Sequence, residues 1–159
     1  QVYPEAVYAD WQAVLDEPQR FGAVATRWNI GAVMLHHPSP GRLALAQAVA
    51  NTPGWRIAFL DGTGIVLLAD GAAASDPIGI TGPLDGNSTP GVAGYLESVL
   101  TVVRSSSEAS TAYYHRGRAI LFLWGSTAAS FAAQDFRTAL ALDPQNTDAA
   151  IGLRAIQPK

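Results

Sequence analysis

Two apolar runs, RIAFL at 56–60 and IVLLA at 65–69, stand only four residues apart, and the four are Asp-Gly-Thr-Gly. A gap that short with Asp61-Gly62 inside it predicts a β-hairpin, and no other stretch of the chain restricts the fold so tightly. Asp61 then has a complete structural account: aspartate accepts turn conformations, and its carboxylate bonds the backbone two residues on. A catalytic Asp61 would need a partner acid, base or metal ligand beside it, and none stands near it in the sequence.

The residues ahead of the hairpin supply its neighbours. Val7, Trp11, Val14 and Leu15 fall at helical spacing before Pro18, and Phe21, Val24, Ala25 and Trp28 repeat that spacing up to Asn29, which can close a helix in a left-handed conformation. The period then changes. IGAVML, 30–35, is a compact apolar run bounded by Asn29 and His36-His37-Pro38, which predicts a strand buried on both faces. Beyond the turn-rich HPSPG, Leu45, Ala48 and Val49 mark an Ala-rich helix over 42–50, stopped by Asn51 and Pro53-Gly54. A helical crossover predicts a parallel, right-handed connection, so the 56–60 strand is expected alongside the first.

At 159 residues, 48% of them hydrophobic, the chain can bury one sizeable core or a core with a small extension. The net charge is −3 and the ten Lys and Arg are scattered singly, which argues against a nucleic-acid phosphate track or an anionic membrane surface as partner. Without cysteine there is no disulfide framework, thiol nucleophile or thiolate zinc site. The longest apolar stretches, such as 119–124, are far shorter than the roughly 20 residues that span a bilayer. The sequence opens at Gln1 without Met, and 1–6 lacks the basic-then-apolar pattern of a signal peptide, so a piece of a longer protein is the expectation.

From Gly71 to Gly91 the composition turns to Gly, Ala, Pro, Ser and Asp, with IGIT the one possible short strand, which reads as a linker or long surface loop. Thr89-Pro90 has the form of an N-cap and first helical residue ahead of a stripe of Val92, Leu96, Val99, Leu100 and Val103. Ser105 and Glu108 have capping-box spacing and start a further helix near 106, with Tyr113, Gly117, Ile120, Leu121 and Trp124 on one side. Three regions are therefore expected. An α/β domain covers 1–82, a loop and connecting helix covers 83–104, and a helical segment over 105–159 packs on the α/β part. The fold class is α/β, with a small sheet of three or four strands and flanking helices.

In the last region Ala132, Phe136 and Ala139 are spaced four and three apart, and Asp143-Pro144 stops the helix before another begins near Thr147. Small residues at 132 and 139 let a neighbouring helix approach while Phe136 fills the groove. This pattern resembles a tetratricopeptide repeat over roughly 112–156. Gly117 resembles the small residue of the repeat's first helix, although it lies about three residues too far upstream for the family pattern. The resemblance implies a protein or peptide partner, and a chain that serves as a free interaction module through these helices is expected to expose a groove lined by Tyr114, Arg118 and Phe122. A solitary repeat cannot form a solenoid, so its implied role is first to cap the core.

VYPEAVYADWQAVLDEPQRF, WNIGAVMLHH and PGWRIAFLDGTGIVLLAD, spanning Val2 to Asp70, resemble the soluble C-terminal region of bacterial polytopic membrane proteins related to dolichyl-phosphate-mannose-type glycosyltransferases. The resemblance implies a non-catalytic, extracytoplasmic accessory domain. The membrane helices and the acidic residues binding metal and lipid-linked sugar would precede Gln1. It also implies a membrane tether outside this sequence and no cofactor within it. The final strand ends Ala69-Asp70 where many of those proteins carry a basic residue, so no anion-binding role is carried over to that strand end.

Two other readings belong to different classes. One is a free protein-interaction module using the C-terminal helices. The other is a small metal-dependent hydrolase using His36, His37 and Asp61, or Asp70. Strand ends are where α/β sheets place ligands, yet adjacent strand residues point to opposite faces, which separates the two imidazoles. His115, beside Arg116 and Arg118, is expected in a solvated charge cluster on a polar helix face. Gly62 and Gly64 precede a strand and not a helix N-terminus, so Gly-Thr-Gly is turn chemistry and not a phosphate loop. Asn87-Ser88-Thr89 matches a glycosylation sequon in an expected loop, a tripeptide common by chance. Neither a Gly-x-Ser-x-Gly elbow nor a His-Glu-x-x-His helix occurs.

Overall fold

The computed structural model describes residues 4–71 and 105–156. The possible IGIT strand, the Thr89-Pro90 helix start with its apolar stripe, and the Asn87 sequon lie outside the described residues.

Helix α1, Glu5–Asp16, ends where Pro18 opens a short 3-10 turn, Pro18–Arg20, that runs into α2, Phe21–Trp28. Asn29 takes the left-handed conformation (φ 50, ψ 48) and its N–H closes α2 on the Ala25 and Thr26 carbonyls, as its position predicts. Asp10 ties the two helices together by accepting from Arg27 Nη1 at 2.9 Å and Trp28 Nε1 at 2.8 Å.

Strand β1, Ala32–His36, leads through α3, Arg42–Ala50, to the hairpin of β2, Trp55–Leu60, and β3, Gly64–Ala69. The sheet order is β1-β3-β2 with both pairings antiparallel. The hairpin is therefore as expected, but β2 does not lie alongside β1. β3 occupies the place between them, so β1 and β2 run in the same direction without touching. The three-residue turn, 61–63, compels β3 to pair with β2, and its uninterrupted IVLLA run suits it to the centre of the sheet. The expectation that β1 is buried on both faces is also corrected. Val33 and Leu35 are buried while Met34 is 80% exposed. The described helices cover one face only, and the edge strand alternates accordingly.

Val33, Leu35, Ile57, Leu60, Ile65 and Leu67 from the sheet form one buried cluster with Val14, Phe21, Leu45 and Val49. A register shift between Ile57 and Phe59 lets both Ile57 and Leu60 face that core. The cluster continues into the C-terminal helices through Ala119, Ile120, Ala132 and Phe136.

Those helices are α4, Ser106–Trp124, α5, Ala129–Leu142, and α6, Thr147–Ile156, with a 3-10 turn, Gly125–Ala128, between the first two. Ser105 and Glu108 form the capping box their spacing predicts. Asn146 Oδ1 accepts from Ala149 N–H at 3.0 Å and starts α6, while its amide donates to Ser110 Oγ, which in turn donates to the Ala139 carbonyl. Phe136 lies between two glycines on different helices. A Cβ built on Gly117 or on Gly152 would stand 2.8 Å from its ring. Arg116 and Asp135 join α4 to α5 in a buried, two-pronged ion pair, with Nε donating to Oδ2 at 2.7 Å and Nη2 to Oδ1. Arg116 is thus inside the protein, and the expectation of a solvated Arg116 beside His115 is overturned: 5% of its surface is exposed.

Candidate functional site

The hairpin turn is where the sheet meets α4. Asp61 Oδ1 accepts from Thr63 N–H (2.7 Å), Thr63 Oγ1 (3.0 Å) and Gly64 N–H (2.7 Å), which fixes the turn in the manner its sequence predicts. Gly62 carries the turn onto the helix. A Cβ there would stand 2.5 Å from both the Cβ and the carbonyl oxygen of Ala112, so only glycine permits this approach.

His37 is locked to the same turn. It is fully buried, its backbone N–H donates to the Thr63 carbonyl at 3.2 Å, and its Nε2 is 2.8 Å from the Asp61 carbonyl oxygen. A carbonyl only accepts, so Nε2 carries the proton and the neutral ring leaves an acceptor lone pair on Nδ1. His36 turns the other way, to the surface, where its Nδ1 is hydrogen-bonded to Ser39 Oγ at 2.9 Å.

From α4, His115 brings its ring edge-on to His37, with 6.5 Å between centroids and 77° between planes, and Tyr114 flanks it at 5.1 Å. Arg118 follows one helical turn later, on the same side of α4. Among the described residues, the buried side-chain nitrogens that lack a hydrogen-bond partner are His37 Nδ1, His115 Nδ1 and Arg118 Nε. All three belong to this junction. Buried polar atoms in native proteins are paired as a rule, so their concentration at one place marks it out.

Burial holds the His37 imidazole below its ordinary pKa, helped by the charges of Arg118 and His36 and opposed by the Asp61 carbonyl and carboxylate. Burial likewise lowers His115, with Arg118, His37 and His36 adding to the effect and Asp148 opposing it. Both rings are neutral at pH 7. Half-buried His115 and Arg118 thus line a packed junction, correcting the solvated cluster expected from their sequence neighbours.

The residues named for metal chemistry are not gathered. His36 and His37 diverge, the near oxygen of Asp61 is saturated by turn donors, and no group of three or more His, Asp or Glu side chains is placed to hold a metal among the described residues. Asp70, at the other end of β3, has its N–H on the Gly54 carbonyl at 2.6 Å.

A cleft of about 490 Å³ opens between α3 and α4. Leu43 and Ala44 form one wall, Arg118, Leu121 and Phe122 the other, and the turn at Ser39 to Gly41 the end. Arg118 and Phe122 therefore do share a concave surface. Tyr114 does not line this cleft; its ring tilts against Phe136, with 6.1 Å between centroids. A smaller cavity of about 330 Å³ lies between His36, Pro38 and Thr63 on one wall and Glu108, Thr111 and His115 on the other.

The pairing of His37 with His115 had no signal in the sequence, since the two lie in separate regions and neither belongs to a motif. Asp135, the buried partner of Arg116, was equally unmarked; a lone Asp inside the small-residue stripe of α5 was the one available sign. In comparisons with protein-family models, curated proteins and solved structures, nothing matches this chain.

Proposed function

We propose that this chain is a non-catalytic binding module, the extracytoplasmic accessory domain of a membrane glycosyltransferase-like protein. In this reading the α3–α4 cleft holds a polypeptide segment that presents an apolar side chain to Phe122, Leu121 and Leu43 and a carboxylate to Arg118. One observation carries the reading. Phe122, 45% exposed, stands in the cleft one helical turn from Arg118, a cation whose buried Nε has no partner among the described residues. An apolar anchor beside an unsatisfied cation suits an occupant with both features, and a segment from an acidic protein supplies them. The polar groups that resemble catalytic ones have structural work: Asp61 holds the turn, Asp135 holds Arg116, and His37 donates to the Asp61 carbonyl. No described helix is long and apolar enough to cross a membrane, so the tether belongs to sequence outside this chain in this reading.

The test has two parts. An antibody to the chain, used on fractionated source cells, should find a much larger integral membrane protein; a small soluble protein would overturn the tethered-domain reading and leave a free interaction module. A photo-crosslinker placed at Phe122 should join the cleft to a defined polypeptide and fail to do so in an Arg118→Gln background. Sugar transfer by the isolated chain would overturn the non-catalytic assignment.

A further inference from the structure

The junction of His37, His115 and Arg118 carries more chemistry than a packing contact needs. Three buried nitrogens lack partners, one on a side chain with no exposed surface, and they belong to neighbouring side chains where the hairpin turn packs on α4, with the two rings 6.5 Å apart and the charge of Arg118 acting on both. Two of them are defined enough to say what they would bind. Arg118 Nε–H donates and cannot accept, and it brings a full positive charge. His37 Nδ1 is an acceptor as long as the ring is neutral, because Nε2 is committed to the Asp61 carbonyl. A proton on Nδ1 turns it into a second donor beside Arg118.

A cation does not suit this place. Arg118 faces the imidazole pair with like charge, and the carboxylates that face it are Asp61, Asp148 and, across the smaller cavity, Glu108; Asp61 has its Oδ1 occupied by three turn donors and Glu108 has its Oε2 occupied by the N–H and hydroxyl of Ser105. An anion suits it once the lone pair on Nδ1 is capped by a proton. We infer that His37, His115 and Arg118 form a site for a small oxyanion, a carboxylate or phosphate group, which binds together with one proton taken from solvent by the imidazole pair. This deepens the reading of the cleft and rests on it, because Arg118 is the residue through which a carboxylate of the occupant reaches the histidines. The stoichiometry is simple: one anion and one proton enter, an N–H bond forms on the imidazole as the bond to that proton in hydronium or the buffer acid breaks, and no other covalent bond changes. Access is from either cavity, since the larger touches Arg118 and the smaller touches His115.

The experiment uses the whole 159-residue chain with its histidine rings followed by nitrogen and carbon NMR. Sodium acetate and, separately, inorganic phosphate are titrated against sodium chloride at matched ionic strength, at pH values from about 7.5 to about 5.5, which bracket an ordinary imidazole. The expected result is a saturable shift of the His37 and His115 ring signals that chloride does not produce. For acetate, which stays ionised over this range, the apparent Kd should tighten about tenfold for each pH unit of acidification, the signature of one linked proton; phosphate takes up a proton itself over the same range, so it reports binding and not the linked proton. Arg118→Gln should abolish the saturable shift, with the amide spectrum reporting that the variant is folded. Acetate acting while phosphate is silent identifies a carboxylate site, and the reverse a phosphate site; both uphold the inference. Shifts that are linear or shared with chloride for both probes, or an acetate affinity independent of pH, overturn it, and these readouts come from the unmodified chain, so they stand even where the Arg118 variant does not fold. Neither probe carries an apolar side chain, so a silent titration overturns the oxyanion site while leaving the Phe122 cross-link as a separate test of the cleft.

Discussion

Gly62 and Ala112 touch backbone to backbone across the junction between the hairpin and α4: a Cβ at position 62 would stand 2.5 Å from the Ala112 carbonyl oxygen. Neither partner has a flexible end that could yield. Gly62→Ala must therefore lift the hairpin turn off the helix and carry the Asp61 carbonyl away from His37. The expected destabilisation is about 1–3 kcal/mol, the usual cost of overpacking. Urea denaturation measures it, and a variant as stable as the parent would show that the turn does not rest on α4.

Asp61 separates a turn role from a chemical one. Its Oδ1 accepts from two backbone N–H groups and one hydroxyl. Asparagine keeps an acceptor oxygen at the same place, while alanine removes it. Asp61→Ala should cost about 1.5–3 kcal/mol, the range for hydrogen bonds to a charged group, and Asp61→Asn less than half of that. Equal losses in the two variants would mean that the negative charge itself, and not the turn geometry, is what the site requires.

Phe136 supplies a test in which helix propensity and packing have opposite signs. Replacing a glycine inside a helix by alanine ordinarily stabilises by up to about 1 kcal/mol. At Gly117 the new methyl would stand 2.8 Å from the Phe136 ring and 3.2 Å from the Ala132 carbonyl oxygen. Gly117→Ala is expected to destabilise the fold, and Phe136→Leu, which vacates part of the ring's volume, to offset some of that loss in the double variant. A stabilising Gly117→Ala would mean that the two helices are farther apart than described.

The Arg116–Asp135 pair tests how a buried charge is tolerated. Burial pushes the Asp135 carboxyl upward, against the two hydrogen bonds from Arg116 that pull it down. Asp135→Ala leaves the guanidinium buried and unpaired and should cost about 3–5 kcal/mol, whereas the apolar double variant Arg116→Met/Asp135→Leu should lie much nearer the parent. Chemical denaturation of the single and double variants decides it. A double variant no better than the single would show that the pair contributes more than mutual neutralisation.

These contacts also show how much the sequence disclosed. The hairpin, the left-handed Asn29, the capping box at Ser105 and the stop at Asp143-Pro144 were legible because each depends on a few consecutive residues with specific backbone preferences. The position of β3 between its neighbours was not, since local spacing sets which strands pair by a turn but not which edge receives a third. His115 and Arg116 were misread for a related reason. Charge on three neighbouring residues looks solvated until the partners are known, and those partners, His37 and Asp135, come from other elements. Glycine at 62 was legible as a turn residue, yet its closer constraint is a helix from a distant part of the chain.

The imidazole pair sets the direction of the pH dependence. His37 has its pKa lowered in the folded protein, chiefly by burial. An unfolded chain takes up that proton near the ordinary value of about 6.5, before the folded chain does. The unfolded state thus holds more protons between that value and the lowered one, so stability is full above about pH 6.5 and falls on acidification through that window. The slope is at most about 1.4 kcal/mol per pH unit for each such histidine, and His115 acts in the same sense. His37→Gln retains an amide N–H able to donate to the Asp61 carbonyl and cannot titrate. Urea midpoints in chloride buffers free of carboxylates and phosphate, taken from about pH 7.5 to about 5.5, should fall less steeply for this variant than for the parent. Parallel curves would mean that His37 ionises as freely inside the protein as outside it, and the junction would then exert no discrimination between the two protonation states.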